Sequence, residues 1–95
     1  MHGSTWRFSG DPTDLAGRYD ALLAEVPTED IRFHACFQAA DGIVVVDTCP
    51  SQDAFDAFRT SEWFTEALTR HGLPEPVIVD YAVHAAFAEG KRIDE

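Results

Sequence analysis

Apolar and polar residues alternate, or β-branched residues run together, in four short stretches of the chain, and each stretch predicts a β-strand. The four stretches are residues 5–9, 31–40, 43–49 and 77–84. In the first of them Trp6 and Phe8 fall on one face, and Arg7 falls on the other. Because successive side chains of a strand point to opposite faces of a sheet, each stretch can be sorted into two faces.

Two longer stretches carry apolar residues at the spacing of an α-helix. The first is predicted to begin after Asp11, a good N-cap residue, and to continue to about Glu25. The second is predicted to begin after Ser51 and to end at Gly72, since glycine suits a left-handed helix cap. A further capping signal, Thr60-Ser61-Glu62, lies inside the second stretch and predicts a kink or a new start.

The dipeptide Asp41-Gly42 separates the second and third strands and is a strong signal for a hairpin with a type I′ turn. Such a turn places Ala40 opposite Ile43 and sorts the hairpin into two faces. One face is apolar and carries Phe33, Ala35, Phe37, Ala39, Val44, Val46 and Thr48. The other is partly polar and carries His34, Cys36, Gln38, Val45, Asp47 and Cys49. We expect the helices to cover the apolar face.

The predicted elements follow one another as strand, helix, strand, strand, helix and strand. This order predicts an α+β fold of the ferredoxin-like type, βαββαβ, in which a four-stranded antiparallel sheet carries two helices on one face. Residues 1–95 are expected to form a single domain with its core in about residues 4–86. Residues 87–95 are expected to form a flexible, solvated tail.

The sheet face without helices is expected to be too polar for a core and too apolar for water. Its residues would be Arg7, His34, Cys36, Gln38, Asp47, Asp80 and His84, among Ile43, Val45 and Ile78. Placing this face against that of a second copy resolves the conflict, and a domain this small gains stability from a partner. We therefore predict a homodimer whose two sheets form an α/β barrel.

The charge balance limits the classes of partner. Asp and Glu number 17 against 7 Lys and Arg, and the resulting net charge of −10 argues against nucleic acid and membrane surfaces as partners. No apolar run is long enough to cross a bilayer, and the first residues contain no signal-peptide core, so we expect a cytoplasmic protein. The two cysteines, Cys36 and Cys49, are expected to be free thiols in that compartment.

Six segments of the chain carry a family resemblance. They are Tyr19-Asp20-Ala21-Leu22, His34, Asp41-Gly42-Ile43-Val44-Val45-Val46-Asp47, Ser51-Gln52-Asp53-Ala54-Phe55-Asp56-Ala57-Phe58, Gly72-Leu73-Pro74 and Val83-His84. Together they resemble the dimeric α/β-barrel superfamily, and most closely small bacterial proteins similar to its antibiotic-biosynthesis monooxygenase group. The resemblance implies the fold and the homodimer, and it suggests cofactor-independent oxygenation of a small aromatic or polyketide-like molecule.

Two departures restrict what the resemblance implies. The chain contains no Asn, the residue that cofactor-free oxygenases and haem-degrading members of the superfamily commonly use in the pocket. In addition, Cys49-Pro50-Ser51 stands where similar proteins often have a Trp-x-Ser pattern. The resemblance therefore implies the fold of the family for this chain, whereas no mechanism of the family can be assigned to it residue by residue.

Three residues are predicted as candidates for catalysis. His34 and His84 fall on the two strands expected at the sheet edges, where each either acts as a base near neutral pH or forms a hydrogen bond in the subunit interface. Asp47 is expected to form a structural ion pair with Arg7, and in an enzyme both would position the substrate. If Asp47 pairs with a histidine instead, the dyad could take a proton from an acidic phenol or enol.

The remaining candidates would contact a substrate in a pocket between the sheet and the partner subunit. They are Arg7, Cys36, Gln38, Tyr81 and Trp63, of which Trp63 either closes the pocket mouth or packs under its helix. The spacings His-x-Cys and Asp-x-Cys match no zinc pattern, so neither a metal nor another cofactor is predicted.

Three functional hypotheses remain open from the sequence. The first is a cofactor-independent monooxygenase-like or proton-transfer enzyme, and the second is a homodimer that binds a small ligand or has a structural role without turnover. The third is a haem-binding protein. An enclosed cavity that contains an imidazole and a second polar group would favour the enzyme, whereas an interior filled by side chains would favour the structural role.

Overall fold

The computed structural model describes residues 1–29 and 31–94 and has the predicted ferredoxin-like architecture. The strands are β1 His2–Ser9, β2 His34–Ala39, β3 Gly42–Cys49, β4 Val77–Ala82, β5 Phe87–Ala88 and β6 Lys91–Arg92, and the helices are α1 Pro12–Leu23, α2 Gln52–Arg59 and α3 Glu62–Arg70. Strands β1 to β4 form an antiparallel sheet in the order β2-β3-β1-β4. None of the helices in the described residues is long and apolar enough to span a membrane.

The helices begin at the capping residues that the sequence indicates. The Asp11 carboxylate accepts a hydrogen bond from the Asp14 backbone N–H at 2.9 Å, which caps α1. Ser51 and Ser61 cap α2 and α3 in the same way, with N–H to hydroxyl distances of 3.1 and 3.2 Å. The predicted second helix is therefore two helices, and the new start at Ser61 is confirmed.

The turn between β2 and β3 differs from the predicted type I′ turn. Its two residues are Ala40 and Asp41, both with negative φ, and Gly42 is already the first residue of β3, opposite Ala39. Glycine is required there because a Cβ atom on Gly42 would lie 1.9 Å from the carbonyl oxygen of Phe8. The register thus moves by two residues, which leaves the same side chains together on each face.

The prediction of which hairpin face the helices cover is wrong. Trp6 and Phe8 pack beneath the helices as expected, and their partners across the sheet are Val45 and Ile43. This face therefore also carries the even-numbered side chains of β2, including His34 and Cys36. Phe33 and Phe37, which were expected in the core, point away from the helices and are 37% and 57% exposed.

The core lies between the sheet and the three helices. Its buried side chains are Trp6, Phe8, Leu15, Tyr19, Leu22, Ile43, Val45, Phe55, Phe64, Ala67 and Leu73. Phe55 on α2 is 1% exposed and contacts Trp6 edge-on, with ring centroids 5.8 Å apart. It also stacks on His2 with ring centroids 4.5 Å apart, so His2 lies at the edge of the core.

The uncovered sheet face is more apolar than the sequence indicated. The large apolar side chains exposed on this side are Phe33, Phe37, Val77, Val79, Tyr81 and Phe87. Arg7 also points to this side, because it pairs with Val44 and Val77 in the ladders. The sheet separates Arg7 from Asp47, so the predicted ion pair between them does not form.

The C-terminal segment differs from the expected tail. Strands β5 and β6 form a small hairpin, and the Asp94 carboxylate ties its base by accepting from the Ala86 backbone N–H at 3.1 Å and from Arg92 at 2.8 Å. These hydrogen bonds, with Arg92 first, lower the pKa of Asp94 to about 2. The last sheet strand ends at Ala82, two residues before the predicted end.

Candidate functional site

A cavity of about 160 Å³ lies between the helix-covered face of the sheet and the helices. Most of its wall is apolar: Trp6, Phe8, Leu22, Leu23, Val26, Pro27, Ile31, Val45, Ala54, Phe58, Phe64 and Leu68. The residues along the wall with polar or ionisable side chains are Tyr19, Glu29, His34, Asp47, Thr48 and Cys49, of which Thr48 directs its hydroxyl to the Phe33 backbone. An apolar cavity with a few grouped polar atoms is the usual form of a small-molecule site.

Three of these polar residues form a hydrogen-bonded chain. The Tyr19 hydroxyl contacts His34 Nε2, and His34 Nδ1 lies 3.2 Å from the Asp47 Oδ1 atom. The same carboxylate oxygen accepts the Thr48 backbone N–H at 2.9 Å, which fixes its orientation. Both ring nitrogens of His34 therefore have a partner.

Burial helps to determine where the proton lies between Tyr19 and His34. Burial raises the pKa of the Tyr19 phenol, and the charges of Cys36 and Asp47 raise it further. Tyr19 therefore keeps its proton and donates it to His34 Nε2. The His34 tautomer that accepts this proton at Nε2 carries its own proton on Nδ1, where the Asp47 carboxylate accepts it.

The residues of this hydrogen-bonded chain come from two elements, helix α1 and the β2–β3 hairpin. On α1, Tyr19 follows Leu15 by four residues and precedes Leu22 by three, so all three side chains share the buried stripe. On the hairpin, His34 pairs directly with Asp47 across the β2–β3 ladder. The helix thus directs the phenol hydroxyl at an imidazole whose other nitrogen is held by the neighbouring strand, and the two rings are nearly parallel, with an interplanar angle of 10°.

The structure brings together only part of the predicted site. His34 and Asp47 form the dyad that the sequence raised as the alternative to an ion pair with Arg7. Cys36 lies under the helices but does not line the cavity, and burial raises the pKa of its thiol. Gln38 is exposed near the turn end of β2, away from the cavity wall.

The other predicted site residues lie outside the cavity. His84 and Tyr81 line a shallower groove of about 500 Å³ on the uncovered face of the sheet, where Tyr81 is 52% exposed. Arg7 points to that same face. Trp63 is 40% exposed on α3 and packs beside Phe58, outside the cavity wall. These positions do not support contact of any of the four with a molecule inside the cavity.

Sequence reasoning missed Tyr19 as a functional residue, because its spacing placed it among the apolar residues of α1. A buried tyrosine hydroxyl normally needs a hydrogen-bond partner, and that requirement was the available signal. With the hairpin faces assigned correctly, His34 is the polar group of β2 that such a hydroxyl can reach.

The described residues around this cavity do not fit a metal or a haem group. In the described part of the chain no three His, Cys, Asp or Glu side chains group as metal ligands. A volume of about 160 Å³ is below the range of roughly 300–1,000 Å³ that is usual for larger ligands. His34, the imidazole on the described cavity wall, already has both ring nitrogens in hydrogen bonds.

Solved structures with the same fold include the following two proteins. One is a protein from Deinococcus radiodurans with a provisional description as an antibiotic biosynthesis monooxygenase, which is 14% identical with a TM-score of 0.67. The other is SnoaB, a cofactor-independent oxygenase from Streptomyces nogalater, which is 18% identical with a TM-score of 0.65. Each alignment covers 93% of this chain and 97% of the other.

The TM-scores and coverages establish a shared fold, and at these low identities they show the fold alone; at that level they confirm the resemblance found in the sequence. No protein-family profile matches the chain, and no curated protein sequence matches it.

Proposed function

We propose that the protein is a cofactor-independent, monooxygenase-like enzyme that removes a proton from a small phenol or enol and lets the resulting anion react with O₂. The observation that supports this proposal is the His34–Asp47 pair at the wall of a largely apolar cavity. An imidazole backed by a carboxylate can act as a base near neutral pH, and its charged form is stabilised by the carboxylate. The description of SnoaB as a cofactor-independent oxygenase is consistent with this reaction class.

In the proposed reaction the substrate is its own reductant. The base takes the O–H proton of a phenol with a free para carbon, and that carbon forms a bond to one atom of O₂. The protonated base returns the proton to give a hydroperoxide. Removal of the ring C–H proton and cleavage of the O–O bond then release hydroxide, which takes up that proton as water. Phenol and O₂ thus give a quinone and water, and the ring supplies all the electrons.

The cavity volume narrows the class of substrate. An apolar cavity of about 150 Å³ accommodates one benzene molecule, so about 160 Å³ suits a single ring with small substituents. A polyketide of three or four fused rings would require a larger site. We therefore favour a single-ring phenol or a small enol over the polyketide-like substrate that the sequence resemblance suggests.

Resorcinol, an electron-rich single-ring phenol, is a suitable probe. With ¹⁸O₂ we expect oxygen uptake and a hydroxyquinone that carries one ¹⁸O atom. The His34→Gln variant should react about 10²-fold or more slowly, which is the usual contribution of a general base. His71→Gln is the matched control, because His71 lies at the end of α3 and bonds Glu25 rather than the cavity groups. Binding without oxygen uptake would favour the ligand-binding hypothesis, and no binding would contradict the proposal.

We further propose a homodimer that forms through the uncovered sheet face. The exposed Phe37, Val79 and Tyr81 side chains all lie on this face, and exposed apolar groups of this size commonly mark protein–protein contacts. Light scattering on the purified protein should give twice the chain mass of 10.5 kDa. Phe37→Lys should reduce that mass toward the monomer, whereas Ala21→Lys, on the exposed side of α1, should not. A monomeric wild-type protein at micromolar concentration would contradict this proposal.

A further inference from the structure

The hydrogen bonds of His34 raise a question about which atom meets the substrate. Nδ1 is bonded to Asp47, and Nε2 is bonded to Tyr19, so neither nitrogen is available to a ligand in the described structure. The Tyr19 hydroxyl uses its proton in this bond, and its oxygen retains acceptor capacity. Tyr19 also lines the cavity.

We propose that Tyr19 is the residue that takes the proton from the substrate. His34 receives the proton that Tyr19 gives up, and Asp47 holds the resulting imidazolium. This inference rests on the proposed function, since it assigns the first proton transfer of that reaction. The substrate O–H donates to the Tyr19 oxygen as the Tyr19 proton moves to His34 Nε2. The substrate O–H bond and the original Tyr19 O–H bond break, while a new O–H bond forms at Tyr19 and an N–H bond forms at His34 Nε2, so the products are a phenolate and an imidazolium held by Asp47.

The environment of Tyr19 suits a group that passes a proton without becoming charged. The residue is 8% exposed, and ionising a phenol among apolar side chains is costly, as the raised pKa of Tyr19 indicates. In the proposed transfer Tyr19 is neutral before and after the step. The positive charge appears on His34, next to the Asp47 carboxylate, where it is stabilised.

The competing arrangement is one in which the substrate displaces Tyr19 and contacts His34 directly. The two arrangements predict opposite effects for Tyr19→Phe. In a relay, loss of the hydroxyl breaks the path between substrate and imidazole, so proton transfer falls. In a displacement, loss of the hydroxyl removes a competitor from His34 Nε2, so proton transfer is kept or increases.

Binding of 4-nitrophenol tests this without requiring turnover, because the phenolate absorbs visible light and the neutral form does not. In the wild type we expect the bound probe to have a pKa about one unit or more below its solution value, which is the usual effect of a nearby opposite charge. Tyr19→Phe and His34→Gln should each abolish this shift. The double variant should lose no more than either single variant, because residues of one relay are not additive.

A crystal structure of the wild-type complex provides a second readout that does not depend on how the variants fold. The relay requires the probe oxygen within hydrogen-bond distance of the Tyr19 hydroxyl, with the contact between Tyr19 and His34 retained. A probe oxygen bonded to His34 Nε2, or an undiminished shift in Tyr19→Phe, would overturn the relay and leave the proposed function standing. Failure of the wild type to bind the probe would instead count against the proposed function itself.

Discussion

Removal of the Tyr19 hydroxyl should change the stability of the protein in a manner that depends on pH. Tyr19→Phe keeps the buried ring but leaves His34 Nε2 without its hydrogen-bond partner. An unpaired polar group of this kind costs about 1–3 kcal/mol, so the variant should be less stable than the wild type by that amount near pH 8.

The same difference should shrink in alkali. The pKa of Tyr19 is raised in the folded state above its ordinary value of 10.0, so its contribution to stability is complete below that value and is lost as the pH rises above it. At pH 11 the unfolded chain gains about 1.4 kcal/mol by ionising this phenol, a gain that the folded state does not share. The variant lacks the phenol, so the gap between the two proteins should narrow by about 1.4 kcal/mol.

Urea unfolding at a fixed protein concentration measures both effects. Trp6 is 5% exposed in the folded protein, so tryptophan fluorescence should report its release on unfolding. Thr69→Val is the control, because it removes a hydroxyl from an exposed side chain of α3, on the helix side of the sheet, and this hydroxyl does not ionise in the pH range used. Its difference from the wild type should stay nearly constant between pH 8 and pH 11. The same constancy in Tyr19→Phe would refute the buried, neutral phenol on which the relay depends.

Two further predictions concern the turn and the helix ends. Gly42→Ala should lower the free energy of unfolding by about 1–3 kcal/mol in urea titrations, because the added methyl group meets the Phe8 carbonyl oxygen; an unchanged midpoint would contradict the close approach. Glu25→Gln should lower the Tm near pH 6, since Glu25 bonds both His71 and Arg70. The bond from His71 contributes most to the lowered pKa of Glu25, so this difference should fade as the pH drops below about 4.5, whereas persistence in acid would argue against the charged pair.

The order of elements was predictable because local signals agree with the fold. The caps at Asp11, Ser51 and Ser61 mark helix starts by side-chain chemistry that acts within three residues, and all three form the expected bond. The turn was less predictable. Asp41-Gly42 has the composition of a type I′ turn, but the tertiary approach of Gly42 to Phe8, which lies far away in the sequence, determines where the glycine falls.

The covered face of the hairpin was not predictable from its own pattern. Val44, Val45 and Val46 place apolar side chains on both faces of β3, so this strand's sequence does not indicate which face the helices cover. The predicted second strand does alternate, but its large aromatic residues, Phe37 in β2 and Phe33 just before β2, lie on the face that the helices leave open. Alternation indicates that one face of a strand is buried. It does not indicate whether helices of the same chain or a second molecule cover that face.

The error in face assignment explains the errors at the site. Once His34 and Asp47 were placed on the open face, Arg7 on the neighbouring strand became the natural counter-charge, and Tyr19 became an ordinary core residue. The ladders instead pair Asp47 with His34 and direct Arg7 to the other side of the sheet. A single reversal of faces thus moved the site from the predicted subunit boundary to the interior of one chain.

In this position the candidate site does not depend on the proposed homodimer. The cavity wall, including Tyr19 and His34, comes from one chain, whereas the exposed Phe37 lies on the opposite face of the sheet. A pocket shared between subunits would be lost on dissociation, but a cavity lined by one chain should persist. We therefore expect the Phe37→Lys variant to bind 4-nitrophenol with the same lowered pKa as the wild type, even where light scattering reports a monomer. Loss of binding together with loss of the dimer, in a variant that melts as the wild type does, would return the site to the subunit boundary.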